Sequence, residues 1–202
     1  MHEITKLVCF LIILLFFVIL LGTIYQYQYA DLFLEYRTNN NNGRKYGIQE
    51  KLQNSDNAVQ ILGQLHDNME KFIKKLEKKH PNDSRVKRLV KGFKDVKIEE
   101  TTEEPNDDNT SFTINKGELM SLCLRSDSPG RPFHDYNTLA FVVIHELAHI
   151  ASLTEGHNIE FIINFKFLLR EAVQMGYYSP VDYSKEPFLY CGKVKVTNNP
   201  YY

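Results

Sequence analysis

Cysteine is scarce in this chain, its net charge is close to zero, and no segment repeats. Three cysteines in 202 residues cannot build the disulfide framework of a small secreted scaffold. Cys9 falls in an apolar run, which leaves Cys123 and Cys191, and these can pair only where the domain faces an oxidising compartment. A net charge of −1 names no partner by itself. The lack of a repeat excludes solenoid and array architectures. Apolar residues make up 43% and aromatics 12%, enough for a packed core, so global disorder is excluded as well. The length suits one domain of ordinary size plus an appendage.

Charge is uneven along the chain. Residues 71–97 hold eleven Lys/Arg against Glu77, Asp83 and Asp95, and the following IEETTEEPNDD holds six acids and no base. Such blocks usually form solvated faces and loops. Attraction of the basic stretch to nucleic acid or to anionic lipid headgroups is the functional alternative. Phe72 and Phe93, the aromatics within it, read as inward-facing and offer no stacking platform. The sequons at Asn82 and Asn109 are short patterns that arise readily by chance.

The N-terminus holds an uncharged apolar run from Leu7 to Ile24, near the length that a helix needs to cross a bilayer. The run is longer than a signal-peptide core, and the YQYQY that follows has no small-residue cleavage site. Tyr25, Tyr27 and Tyr29 suit an interfacial belt. Residues 1–29 are therefore expected to form a single-pass membrane anchor. The flanking bases, Lys6 against Arg37, Arg44 and Lys45, nearly cancel and leave its sidedness open.

Beyond the anchor, residues 30–54 read as a linker because TNNNNGRKYG is rich in Asn and Gly. Residues 55–202 read as the folded domain. Ile61, Leu65, Met69, Phe72 and Leu76 mark a helix from Ser55 or Asp56 to about Lys79, and Val86, Leu89, Val90 and Phe93 mark a shorter one in SRVKRLVKGF. DVKIEE, TSFTIN and ELMSLCLRS are strand candidates separated by an acidic loop around Pro105. In the last of them Met120, Leu122 and Leu124 alternate with Ser121, Cys123 and Arg125. Asp135 or Asn137 opens a further helix. Another follows with Phe161, Phe165, Leu168 and Ala172 in step, ending at Gly176, and the tail has at most one short strand. The expected class is α+β, with helices flanking a small antiparallel sheet.

The chemistry lies in VVIHELAHIASLTEGHNIEF, residues 142–161. On a helix, His145 and His149 stand one turn apart on the same side, while Leu139, Val143, Leu147 and Ile150 form the opposite, apolar face. Two imidazoles so placed can meet one metal ion, and Glu146, turned aside from them, suits a water-holding role rather than a ligand role. A buried helix without metal would have to hide two imidazoles and a carboxylate uncompensated, which is costly. A catalytic zinc needs a third protein ligand. His157 is the first candidate, carried back by a turn at Thr154–Gly156 in which Gly156 adopts a left-handed conformation. Glu160 and Glu171 are its rivals.

HELAHIASLTEGHNIEF resembles the HExxH…GHxxxF signature of minimal zinc metallopeptidases of the WLM and SprT-like kind, through His145, Glu146, His149, Gly156, His157 and Phe161. The tail FKFLLREAVQMGYYSPVDYSKEPFLYCG is similar, less specifically, to small WLM-like proteins of large DNA viruses. The resemblance implies a zincin-like domain with Zn2+ on His145, His149 and His157, Glu146 as general base, and a protein or peptide substrate. The expected function is thus a membrane-anchored zinc endopeptidase at a host or virion membrane. The alternatives are an inactive zinc-stapled structural protein and a DNA-associated protease of the same kind. In such folds an edge strand aligns the substrate, for which 119–125 is the candidate. A tyrosine between Tyr177 and Tyr190 is a candidate oxyanion donor. Cys191 is a structural thiol before it is an inhibitory zinc ligand.

Overall fold

Elements form where the apolar spacing asks for them. The computed structural model describes residues 2–31, 34–50, 52–102 and 110–202, and in the N-terminal helix the described side chains are Lys6 and Val8–Gly22. The chain divides into two compact units, Met1–Leu34 and Glu35–Tyr202. The first is helix α1 (His2–Asp31). Its described apolar side chains are all exposed, Phe16 at 63%. Among the described residues no helix is long and apolar enough to cross a membrane. Leu7, Thr23 and Ile24 of the expected span, and Tyr25, Tyr27 and Tyr29 of the expected belt, lie outside the described side chains. The acidic loop around Pro105 and the sequon at Asn109 likewise lie outside the described residues.

The second unit is α+β. It contains β1 (Leu34–Thr38, with its first residue in the N-terminal unit), β2 (Lys45–Gln49), α2 (Ser55–Lys79), α3 (Ser84–Phe93), β3 (Lys97–Glu100), β4 (Phe112–Ile114) and β5 (Leu119–Leu122). Two helices, α4 (Tyr136–Ala151) and α5 (Ile159–Gln174), and a hairpin of β6 (Phe188–Tyr190) and β7 (Val194–Val196) complete it. Helix α2 buries Leu62, Leu65, Met69, Phe72 and Leu76, and its lysines 71, 74, 75, 78 and 79 stay exposed. Asp83 caps α3 by accepting from the Arg85 amide, and Asp135 caps α4 by accepting from Thr138. Phe72 and Phe93 are buried, as the spacing required.

The tail holds two strands, β6 and β7, where at most one was expected, and three larger expectations need correction. The segment 30–54 is not a linker, because it carries two strands of the main sheet. Its Asn-rich stretch turns the chain from β1 to β2: Asn39 donates to Val59 O (2.9 Å) and accepts from the Asn41 amide (2.8 Å). That buried asparagine fits because Gly63 of α2 has no side chain to meet it. Second, the sheet is mixed rather than antiparallel, in the order β1-β2-β3-β5-β4. β2 and β3 run parallel because α2 and α3 carry the chain back across the sheet before β3 begins, the kind of crossover that a parallel pair needs. β3 and β5 are also parallel, and β4 returns antiparallel along β5 (Thr113 opposite Met120). Third, β5 is an interior strand and not an edge. Ser121 and Arg125 are buried beside Met120, Leu122 and Leu124, with Arg125 donating to Glu100 at 2.7 Å. Strand β4 is the terminal strand at the end opposite β1, and α4, which also contacts α3 and α5, packs against it.

Candidate metal centre

Helix α4 is buried along Leu139–Ile144, and its one polar face opens at His145 and His149, both partly exposed. After Ala151 the chain leaves the helix and returns through a tightly laced loop. Ser152 Oγ donates to Ala148 O (2.7 Å), and Asn164 of α5 donates to that hydroxyl (2.9 Å). Glu160 accepts from the Leu153 and Thr154 amides and from the Thr154 hydroxyl (2.9, 3.1 and 2.6 Å). These bonds, the Leu153 amide foremost, hold its carboxyl down to about 2. Asn158 caps α5 by accepting from the Phe161 amide. Gly156 has φ +76°, the left-handed turn expected of it, four residues beyond the α4 cap.

The loop delivers His157 to the helix face. The three Nε2 atoms stand 3.2 Å (His145–His149), 3.2 Å (His149–His157) and 2.9 Å (His145–His157) apart. Three imidazole nitrogens cannot satisfy one another in a closed triangle, since each either donates or accepts. A shared cation resolves the conflict: tetrahedral ligands about 2.0–2.1 Å from zinc stand roughly 3.3 Å apart. The donor set therefore fits a metal ion, and this trio is the cluster among the described residues that can hold one. Phe161, 1% exposed, packs beneath all three rings with centroids 4.4–4.8 Å away. Burial, then the neighbouring imidazoles, lowers His145 to about 3, and burial lowers His149 to about 4, so both are neutral and ready to ligate near pH 7.

Both rivals for the third ligand position are engaged elsewhere. Glu160 clamps the loop, and buried Glu171 pairs with Lys79 (2.8 Å) and His80 (3.1 Å). Glu146 is 2% exposed and accepts from the Thr113 hydroxyl of β4 at 2.8 Å. Burial raises its carboxyl to about 7, against the opposing pull of Thr113. A cleft of about 220 Å³ joins the three histidines and Glu146 to Ser111, Phe112, Thr113, Lys116 and Glu155.

None of Tyr177, Tyr178, Tyr183 or Tyr190 lines that cleft among the described residues. Tyr190 instead donates to Cys123 O (2.6 Å) and meets Ser111 Oγ (2.8 Å). Cys191 is disulfide-bonded to Cys123 and is not a ligand. Thr113 and Lys116 escaped the sequence reading, since each reaches its partner across about thirty residues. Lys116 donates to His149 O (3.2 Å) and Thr154 O (2.8 Å) and pairs with Glu155 (3.0 Å), which ties the β4–β5 turn to the ligand loop.

No protein-family profile matches the chain. It is 32% identical over 158 residues to the uncharacterized protein R325 of Acanthamoeba polyphaga mimivirus, covering 73% of this chain and 75% of that one. It is also 40% identical over 87 residues to uncharacterized protein 042R of Invertebrate iridescent virus 3, and 39% identical over 84 residues to uncharacterized protein 136R of Invertebrate iridescent virus 6. These matches cover 42% and 40% of this chain and 51% and 44% of the two iridescent-virus proteins. Among solved structures it is similar to the crystal structure of Wss1 from Saccharomyces cerevisiae, at 19% identity and a TM-score of 0.43, over 64% of this chain and 89% of that one.

Proposed function

Since the chain belongs to the same family as the uncharacterized mimivirus protein R325, and since its histidines converge, we propose that it is a zinc-dependent endopeptidase held at a membrane by its N-terminal helix. One observation carries the reading: three imidazole nitrogens lie 2.9–3.2 Å apart beside a buried carboxylate, in an open cleft. The HExxH…GHxxxF signature of WLM and SprT-like peptidases supports it, because the residues the signature names are those that meet here. Phe161 gives the last of them a physical reason, as the floor under the imidazoles.

His145, His149 and His157 would hold the zinc. A zinc ion held there would supply a Lewis acid for polarising a carbonyl and for acidifying water. Glu146, held at the cleft by Thr113, accepts the proton from the attacking water and returns it to the departing amine. The substrate lies along β4, whose outer side has no strand partner among the described residues and whose Phe112 and Thr113 line the cleft. An extended peptide added there as a further strand presents its backbone to the histidines.

Anchoring is supported by the exposed apolar side chains of Val8–Leu21, which cost free energy in water and none in a bilayer. The Cys123–Cys191 bond supports placing the domain in an oxidising compartment. The test is hydrolysis of a peptide library by the zinc-loaded chain beside Glu146→Gln. We expect cleavage by the wild type and none by the variant, with zinc content unchanged. Equal cleavage by both would refute the role of Glu146. Bound zinc with no cleavage by either would leave only a structural metal.

A further inference from the structure

The structure assigns Thr113, on the terminal strand, as the positioning residue that aims the Glu146 carboxylate at the reacting water. This inference rests on the proposed peptidase reading and adds a residue that the signature does not contain. Glu146 is almost fully buried, and among the described residues the Thr113 hydroxyl is the one group that donates to it, at 2.8 Å on Oε2. A carboxylate with one oxygen pinned cannot spin about its terminal torsion, so Oε1 is left to serve the cleft.

The contact follows from the topology. Side chains alternate along a strand, so Thr113 points opposite to Phe112 and Ile114. Register with Met120 fixes it against β5, and α4 packs against β4. Lys116, three residues on, ties the same hairpin to His149 O and Thr154 O. The strand that would seat the substrate therefore also sets the base and steadies the loop bearing His157. A β-branched residue suits the strand, but valine would fill the same space without the hydroxyl. Only the hydrogen bond asks for threonine.

The full-length, zinc-loaded chain is compared as wild type, Thr113→Val and Thr113→Ser. Thr113→Val should lower kcat by about 10- to 100-fold while KM stays within about 2-fold and zinc content is unchanged. Thr113→Ser should recover most of the rate, because the donor is restored. Wild-type kcat in Thr113→Val, or a loss that serine does not rescue, would overturn the assignment while Glu146→Gln still reports on the peptidase reading separately. A second readout needs no turnover: the melting temperature of the metal-free chain. There Thr113→Val should cost several degrees in the wild type and little in Glu146→Ala, where the acceptor is gone. Equal costs in both backgrounds would overturn the contact.

Discussion

Replacing Glu146 by glutamine should make the metal-free protein more stable at neutral and alkaline pH. The carboxyl is 2% exposed, and burial raises its pKa from 4.5 to about 7. Below pH 4.5 both folded and unfolded chains keep the proton, and the group adds no difference. Between 4.5 and about 7 the unfolded chain releases its proton while the folded chain retains it, so this group lowers stability as pH rises. Above 7 the whole cost stands, about 3 kcal/mol. An amide cannot ionise and escapes it. For a unit of this size the gain corresponds to roughly 6–12 °C in melting temperature. The assay is thermal unfolding with a chelator, from pH 4.5 to 8.5, for wild type and Glu146→Gln. The gap should be near zero at the acid end and complete by pH 8. Saturating zinc should shrink it, because a nearby cation favours the charged carboxylate. A variant no more stable than the wild type at pH 8, or a gap that does not change with pH, would refute the reasoning.

Two further outcomes follow. Without reductant, alkylation should label Cys9 alone, and reduction should expose Cys123 and Cys191 and cost up to about 4 kcal/mol, from a sequence separation of 68 residues; labelling of all three before reduction would contradict the bond. Gly92 meets the backbone of Lys116 and the side chain of Ile150 with no room for a Cβ. Gly92→Ala should therefore cost about 1–3 kcal/mol and weaken zinc binding by shifting the Lys116 tether, whereas unchanged melting and affinity would show that the turn does not hold the ligand loop.

Local features of this fold were legible in the sequence, and long-range ones were not. Helix α3 has the bounds the reading gave it, and α2 ends at the expected Lys79, because apolar spacing is a local signal. His145, His149 and His157 were legible for the same reason: a helical turn and a glycine set their convergence within thirteen residues. The sheet was misread because strand order depends on partners far apart in the chain. TNNNNG signals a break with equal force whether it begins a hairpin or a linker, and only the Asn39–Val59 contact distinguishes them. β5 alternates like a half-buried strand, yet Arg125 is buried through its pair with Glu100, twenty-five residues away. Thr113 gave no signal at all, since its partner lies thirty-three residues away on α4.

The most direct test of the whole account is zinc binding by the full-length chain, titrated against a competing chelator with the histidine variants alongside. One zinc per chain is predicted, with His145→Ala, His149→Ala and His157→Ala each weakening it by at least about 10-fold. Absence of a stoichiometric site, or a site that survives loss of His157 undiminished, would contradict the three-histidine centre.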